Sequence, residues 1–124
     1  MYNKWVYRIK NEHDGSKRYK ARLLVKGFQQ KKGIDYSEIF SPVMKMSTIR
    51  LVLGIVALEN LHLEQLGVKT TFLHGDLEED IYMSQLEWFI VQGKESLVCK
   101  LRKSLYGLKQ VPRQWYKKFD SVRF

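Results

Sequence analysis

The first part of the chain alternates apolar and polar residues. The segment KWVYRIK (residues 4–10) has this period-two pattern and is rich in strand-forming residues. Asp14 and Gly15 form a strong turn signal, and YKARLLVKGF (residues 19–28) resumes the alternation. The pattern predicts a basic β-hairpin over residues 4–28. Its second arm carries the cations Lys17, Arg18, Lys20, Arg22 and Lys26.

The pattern then changes from a loop to a helix. Residues 29–46 contain Gly33 and Pro42 without a sustained period, which predicts a loop that wraps over the body of the domain. Ser47 or Thr48 is expected to cap a helix running to about residue 60. One face of this helix is expected to be buried, with the residues Ile49, Val52, Leu53 and Val56.

Short apolar segments follow. Residues 61–73 predict a buried strand, with a turn over residues 69–75. Two further short strands are predicted at residues 81–85 and 97–101, joined by a hairpin loop. Cys99 alternates with its neighbours in the second of these and is expected to be a small buried hydrophobe.

The last element is predicted to be a helix opened by Pro112, a favourable first-turn residue. Trp115, Phe119 and Val122 are expected to share one face, and Arg113 and Lys117 another. No C-cap signal follows, so the helix is expected to continue to the last residue and to indicate truncation. The elements together predict a single α+β domain.

Charge is segregated along the chain, whose 124 residues carry a formal net charge of +9. Residues 1–32 have a net charge of +8, residues 33–98 of −6 and residues 99–124 of +7. This segregation favours an anionic partner such as a phosphate backbone for the two basic ends. A solvated face without a partner stays open on charge alone.

Composition excludes several classes of protein. One cysteine precludes an internal disulfide, and three histidines beside it do not supply an ordinary zinc cluster. The chain lacks an apolar run of the roughly 18 residues that a membrane span needs, and an apolar signal segment after Met1. A cytoplasmic or nuclear protein that is neither secreted nor membrane-bound is expected.

Four long motifs in order carry a family resemblance. They are KWVYRIK, DGSKRYKARLLVKGFQQKKGIDYSEIFSPVMKMSTIRLVLGIVA, LEQLGVKTTFLHGDLEEDIYM and LVCKLRKSLYGLKQVPRQWYKKFD. Together they resemble the amino-terminal part of the reverse transcriptase of copia-type LTR retrotransposons. The resemblance implies an incomplete right-hand polymerase fold, with residues 1–45 as a fingers β-hairpin region and residues 46–124 as partial palm with some fingers and packed helices.

The chemistry that the resemblance implies is phosphoryl transfer between two Mg²⁺ ions held by carboxylates. One family ligand is the Asp that opens Asp-Val-Lys-Thr-Ala-Phe, and here that position is Gly67. The other two lie in a Tyr-Val-Asp-Asp hairpin that does not occur before Phe124. The chain is therefore expected to hold no metal or other cofactor, to lack catalytic residues and to be inactive in primer extension.

Several residues match positions at which members of this family bind template or nucleotide. Phe72 matches the steric gate that crowds a ribose 2′ hydroxyl. Gly107 and Pro112 match the template and nucleotide-binding motif. The implied phosphate and backbone contacts are Lys20, Arg22, Lys26, Lys109, Gln110 and Arg113. For each position a structural role stays open: a core phenylalanine, a solvated strand face, or an ordinary loop before a helix.

Two further features of the sequence are not expected to contribute to function. The four acids within residues 76–80 are expected to form a solvated turn rather than a metal site, and His74 is expected to be a turn residue. Leu86 and Trp88 replace a family proline and glycine. If that glycine has a positive φ, Trp88 introduces strain of order 1 kcal/mol or more.

Three hypotheses follow. In the first, the chain is an inactive reverse transcriptase fragment with weak affinity for RNA template and DNA primer, doubtful binding of dNTP, and the rest of a Pol polyprotein as its neighbour if the frame continues. In the second, it is a non-enzymatic basic nucleic-acid-binding module. In the third, the partial core is too small to fold stably.

Overall fold

The predicted hairpin is confirmed in the computed structural model, which describes residues 1–122. Strand β1 (Asn3–Asn11) pairs antiparallel with β2 (Lys17–Val25), with Tyr7 opposite Ala21 at the centre of the register and Arg8 opposite Lys20 next to it. Gly15 adopts a φ of +81° at the turn, and the Asp14 carboxylate accepts a hydrogen bond of 2.9 Å from the Ser16 backbone N–H. The left-handed conformation of Gly15 explains why the Asp-Gly pair predicts this turn.

The other elements give the mixed α+β composition that the sequence predicts. Strands β3 (Tyr82–Ser84) and β4 (Val98–Lys100) form a second antiparallel pair. The helices are α1 (Met46–Leu58) and α2 (Val111–Asp120). Short 3-10 turns occupy Gly27–Gln29, Thr71–His74 and Glu87–Phe89.

A small core joins the end of the hairpin to β3 and the start of α2. Its buried apolar residues are Val25, Ile81, Met83, Leu108 and Val111. Backbone hydrogen bonds reinforce this junction: the N–H of Val25 donates to the carbonyl of Tyr106 at 2.8 Å, and that of Leu101 donates to Ile81 at 2.8 Å.

The predicted buried strand at residues 61–73 is wrong. Residues 61–68 are irregular and exposed, and Thr71–His74 forms a 3-10 turn. A strand needs a partner for its backbone groups, and this segment belongs to neither of the two described sheets. Its leucines alternate as in a strand, but no neighbouring strand of the described sheets supplies the backbone hydrogen bonds that would stabilise it.

Helix α1 forms as predicted, but its cap and its buried face are wrong. Lys45 precedes the first helical residue and no side chain caps the N-terminus, so Ser47 and Thr48 lie inside the first turn. None of its residues is buried, and Val52 and Leu53 remain nearly half exposed. The periodic pattern selects a face, but burial requires another element to cover it.

Helix α2 begins as predicted, with Pro112 in the first turn, but ends at Asp120 rather than at the chain's last residue. Residues 123 and 124 lie outside the described part. The buried side of α2 is formed by Val111 and Gln114, whereas Phe119 is about half exposed. Trp115, Phe119 and Val122 do share one face, as predicted, because all three line the same cavity. This face is not part of the core, which contacts the first turn of the helix.

One smaller expectation is also wrong, and the condition of another is not met. Cys99 is exposed, because β4 pairs with β3 along one edge without being covered. Trp88 lies in the turn Glu87–Phe89 and is not among the residues with positive φ, so the conditional strain does not arise. Among residues 1–122, none of the helices has the length and apolar character that crossing a membrane requires.

Candidate nucleic-acid interface

The hairpin presents one strongly cationic face. Because directly opposed residues of an antiparallel pair share a face, the register places alternate residues of both strands together. Six cations occur on this face: Lys4, Arg8, Lys10, Arg18, Lys20 and Arg22. The opposite face carries Trp5, Tyr7, Ile9 and Tyr19, with Lys17 at its turn end. The two faces of the hairpin therefore differ in chemistry.

A groove of about 760 Å³ runs along β2. Its charged lining consists of Arg18, Lys20, Arg22 and Lys69, and Tyr106 contributes an aromatic wall. The Arg22 guanidinium lies 5.9 Å from the centre of the Tyr106 ring, a cation–π distance. The groove thus brings two of the predicted phosphate contacts, Lys20 and Arg22, to one concave surface.

The electrostatics of this surface favour an anion. The like charge of Lys10 lowers the pKa of the Lys20 ammonium, with smaller lowering from desolvation, Arg18 and Arg22 and an opposing effect of Glu12. Glu12 accepts a hydrogen bond of 2.9 Å from Arg18 Nε. A bound phosphate would relieve the repulsion between the ammonium and guanidinium groups.

Gly107 is required by packing against the hairpin. Its φ is +98°, and a Cβ at this position would lie 2.0 Å from the Val25 carbonyl oxygen. A Cβ on Gly27 would likewise lie 1.9 Å from the Gly107 carbonyl oxygen. The close backbone approach at Gly107 is thus made to the protein's own chain.

The residues around the start of α2 hold the loop of residues 29–41. Gln110 is fully buried; its Nε2 donates to the Asp35 carbonyl at 3.0 Å, and its Oε1 accepts from Gln30 Nε2 at 2.8 Å. Arg113 Nη1 donates to the Phe40 carbonyl at 3.1 Å. The loop prediction is confirmed, because these contacts wrap the loop over the core.

Three other predicted contacts lie near aromatic rings or at a helix end. Lys109 Nζ lies 5.1 Å from the centre of the Tyr36 ring and donates to the Gln30 carbonyl at 3.3 Å. Lys26 Nζ lies 6.0 Å from the Tyr2 ring, and Pro112 is exposed in the first turn of α2. None of these three lines the groove along β2.

Gly67 and Phe72 lie on a different part of the surface. Gly67 lines an apolar cavity of about 560 Å³ with Leu66, Trp115 and Phe119. Apart from its chain neighbours, a Cβ at Gly67 would have no atom of residues 1–122 within 4 Å. Phe72 lies in the turn Thr71–His74 and is 37% exposed. Neither residue lines the groove that holds Lys20 and Arg22.

The residues near Gly67 do not fit a Mg²⁺ pair. Carboxylates are the ligands such a site needs, and glycine supplies none. Within residues 1–122, His, Cys, Asp and Glu side chains do not assemble in groups of three or more that could hold a metal ion.

The acidic stretch is an ion-paired connection rather than a free turn. Asp76 accepts a hydrogen bond from Lys118 at 2.9 Å, Glu78 accepts one from Lys117, and Asp80 pairs with Lys100 at 2.7 Å. These three acids stay substantially exposed, as expected, but each has a cationic partner. The fourth acid, Glu79, accepts hydrogen bonds from the Ser37 N–H and from Gln110 Nε2 instead. His74 contacts the Lys69 carbonyl at 3.2 Å, as expected of a turn residue.

Sequence reasoning missed Lys69 and Tyr106 as walls of the groove. Both are distant from the hairpin in sequence, and Tyr106 comes to β2 through a bridge with Leu24. The LYGLKQVP motif indicates a role for the neighbouring glycine but not for this ring.

Comparison with known proteins decides the family. The family model described as reverse transcriptase (RNA-dependent DNA polymerase) matches residues 1–123. The chain belongs to the reverse transcriptase family. The similar proteins come from copia-type transposons, which confirms the copia-type resemblance of this reverse transcriptase segment.

This reverse transcriptase segment is similar to transposon polyproteins. It is 66% identical over 119 residues to the retrovirus-related Pol polyprotein from transposon TNT 1-94 of Nicotiana tabacum, covering 95% of the chain and 9% of the relative. It is 51% identical over 114 residues to that from transposon RE1 of Arabidopsis thaliana, covering 91% and 8%. The chain thus spans less than a tenth of these relatives. No solved structure matches it.

Proposed function

We propose that this chain contributes the fingers region and part of the palm of a right-hand polymerase, and that its role is to bind the phosphate backbone of template or primer. Residues 1–45 correspond to fingers and residues 46–124 to partial palm with some fingers. The chain acts in the cytoplasm or nucleus, and its neighbour is the rest of a Pol polyprotein.

The observation that carries the proposal is the cationic face of the hairpin together with the groove along β2. Six Lys or Arg side chains share that face, and the repulsion around Lys20 favours an anion. Phosphate contacts from such residues provide affinity without sequence selection. Lys20 and Arg22 are the proposed central contacts, with Lys26 beside them in sequence.

The residues at the start of α2 support the interface in two ways. Lys109 and Arg113 are proposed as backbone contacts, since both are only partly buried. Gln110 is fully buried, so we propose that it acts by holding the loop of residues 29–41, with Gly107 and Pro112 shaping the turn into α2. Phe72 occupies the proposed steric gate position and is accessible to a ligand.

We further propose that the chain does not extend primers. The reaction of the family needs a Mg²⁺ pair on carboxylates, and Gly67 stands at one ligand position. Binding of nucleotide through the same metals is expected to be lost with them. No residue of this chain is assigned a catalytic role.

Binding is tested by titrating a labelled single-stranded oligonucleotide into the 124-residue chain at several salt concentrations. When the logarithm of the association constant is plotted against the logarithm of the salt concentration, the slope should be about −0.7 for each phosphate contacted. Combined Lys20→Glu and Arg22→Glu should weaken binding and flatten this slope. Combined Lys45→Glu and Arg50→Glu makes the same charge change outside the hairpin and serves as the control. Equal losses in both double variants would refute the interface.

Inactivity is tested by incubating the chain with primer, template, dNTPs and Mg²⁺. Extension should stay at the level of a buffer control, and Gly67→Asp should not restore it, because one carboxylate does not hold two ions. Extension by the unsubstituted chain would refute the proposal.

A second candidate function is a non-enzymatic nucleic-acid-binding module, in which binding itself is the activity. The chain keeps six cations on one face of the hairpin but has Gly67 at the position of a family carboxylate, which favours this function. It predicts tight binding that persists at physiological salt, whereas an inactive fragment binds weakly there.

A further inference from the structure

A second groove, of about 500 Å³, lies between β1 and the segment of residues 84–88. Four of the side chains that line it are aromatic: Tyr2, Trp5, Tyr7 and Trp88. Lys4 contributes a cation and Glu87 a carboxylate. We refer to it as the aromatic groove. It is separate from the cationic groove along β2, and the two share no lining residue.

Both walls of the aromatic groove are held in place. The rings of Trp5 and Tyr7 are stacked, with centres 6.3 Å apart and planes 17° apart. Asn3 Nδ2 donates to the Ser84 carbonyl at 2.8 Å, which attaches β1 to the second wall. Gln85 Nε2 donates to the carbonyls of Lys94 and Leu97, which anchors that wall from behind.

The aromatic surface of this groove is accessible. Trp88 is 80% exposed and Tyr7 is 71% exposed. Exposed rings arranged along a groove leave a large apolar area in water, which marks a binding surface. The chemistry of the ligand must therefore supply flat apolar faces.

We propose that the aromatic groove stacks the base of an unpaired nucleotide. Base–aromatic stacking needs a ring whose face is accessible, as Trp88 and Tyr7 provide. Lys4 belongs to the cationic face but also lines this groove, so it can contact the adjoining phosphate where the strand crosses the edge of β1. The other cations of that face provide for further phosphates. Paired bases are already stacked on their neighbours, so the site selects single strands over duplexes.

Charge favours nucleic acid over a proline-rich peptide, which could also dock on aromatic rings. The first 32 residues have a net charge of +8, and this density suits a polyanion. Glu87 repels phosphate but accepts hydrogen bonds from N–H groups on the edge of a base, so we expect the base to lie toward Glu87 and the phosphate toward Lys4. The inference rests on the proposed phosphate binding and adds a base-recognising site to it.

The test compares a labelled oligothymidylate with an abasic strand of equal length, both titrated into the 124-residue chain. The intact chain should bind oligothymidylate more tightly by about fivefold or more, the range expected for one stacked base. Trp88→Gly, which restores the residue of the family pattern, should remove this preference without changing affinity for the abasic strand. Trp88→Tyr keeps a ring and should retain most of the preference.

Phe89→Gly is the matched control, because Phe89 is 68% exposed in the same turn but does not line the groove. Circular dichroism of each variant verifies that the fold is kept. Equal binding of both strands by the intact chain would overturn the base site and leave phosphate binding standing. Binding of neither strand would overturn both proposals. If a polyproline peptide shields Trp88 fluorescence from quenching by acrylamide and oligothymidylate does not, the groove binds peptides instead.

Discussion

Gly27 and Gly107 meet where the hairpin joins the segment before α2. Each lies so close to the backbone of the other segment that a Cβ would overlap a carbonyl oxygen. The sequence motif indicates that Gly107 matters, but a motif does not distinguish approach to a ligand from approach to the chain itself. The structure assigns the close contact to Val25, which no local pattern of sequence could have revealed.

Replacing Gly107 by alanine should destabilise the chain by about 2 kcal/mol or more, because the side chain adds both a clash and strain at positive φ. Thermal denaturation followed by circular dichroism measures this change. Gly67→Ala is the control, since its Cβ enters open space. Equal stability of Gly107→Ala and the unsubstituted chain would show that the two segments do not pack this closely.

Gln110 offers a second test at the residue scale. Gln110→Leu should cost about 1–3 kcal/mol, because the buried amide of Gln30 loses its acceptor and the Asp35 carbonyl loses a donor. Chemical denaturation measures the cost, and exposed Gln92→Leu provides the control. A neutral Gln110→Leu would contradict a role in holding the loop.

Local signals succeed for elements whose partners are adjacent in sequence. The β1–β2 hairpin follows from alternation and an Asp-Gly turn, and α2 from the position of Pro112. Residues 61–68 and the exposed face of α1 are predicted wrongly because burial depends on which other element lies against them. The candidate site divides in the same way: Lys20 and Arg22 are identified by the local cation pattern, whereas Lys69 and Tyr106 approach only through the fold.

The ion-paired acids predict how the stability of the chain depends on pH. Hydrogen bonds from Lys118 and Lys117 lower the pKa values of Asp76 and Glu78 respectively. A carboxyl group whose pKa is lowered by folding stabilises the fold above its unfolded pKa and loses this contribution as pH falls through its folded pKa.

We therefore expect Tm to decrease on acidification below about pH 4, where unpaired carboxylates titrate. The double variant Asp76→Asn and Glu78→Gln should show a flatter profile of Tm against pH. Asp120→Asn is the control, since among the described residues Asp120 forms no ion pair. An unchanged profile in the double variant would show that these pairs add nothing to stability.

Helix α1 should be the least protected regular element. It has 13 residues and no buried side chain, and isolated helices shorter than about 12–15 residues are marginal in water. Hydrogen exchange read by mass spectrometry should show α1 exchanging much faster than the amides around Val25 and Gln114. Comparable protection in both regions would mean that α1 is covered in solution.

The whole molecule exposes far more surface than a compact protein of its mass. Its accessible area is 10561 Å², whereas a folded monomer of this size exposes about 7,000 Å². The excess arises from the uncovered faces of α1, residues 61–68 and the hairpin. The third hypothesis, of marginal folding, thus has a physical basis in the small core.

The chain should bind the dye ANS strongly, and its urea m-value should lie below that typical of 124 residues, because unfolding exposes less new surface. Fluorescence titration and urea denaturation measure these quantities. Weak dye binding together with an m-value typical of the chain length would show that the exposed faces are covered, through self-association or rearrangement, and gel filtration would separate these two cases.

The two faces of the hairpin have a consequence for insertions and deletions in the gene. Successive residues of a strand point to opposite sides, so deletion of one codon inside β1 would exchange its cationic and aromatic residues between sides. Composition and isoelectric point would barely change, yet neither nucleic-acid surface would remain intact. Deletion of two codons would leave each remaining residue on its original face of the hairpin. In a series of deletion variants within β1, the loss of binding should therefore depend on whether an odd or an even number of residues is deleted, more than on the net charge.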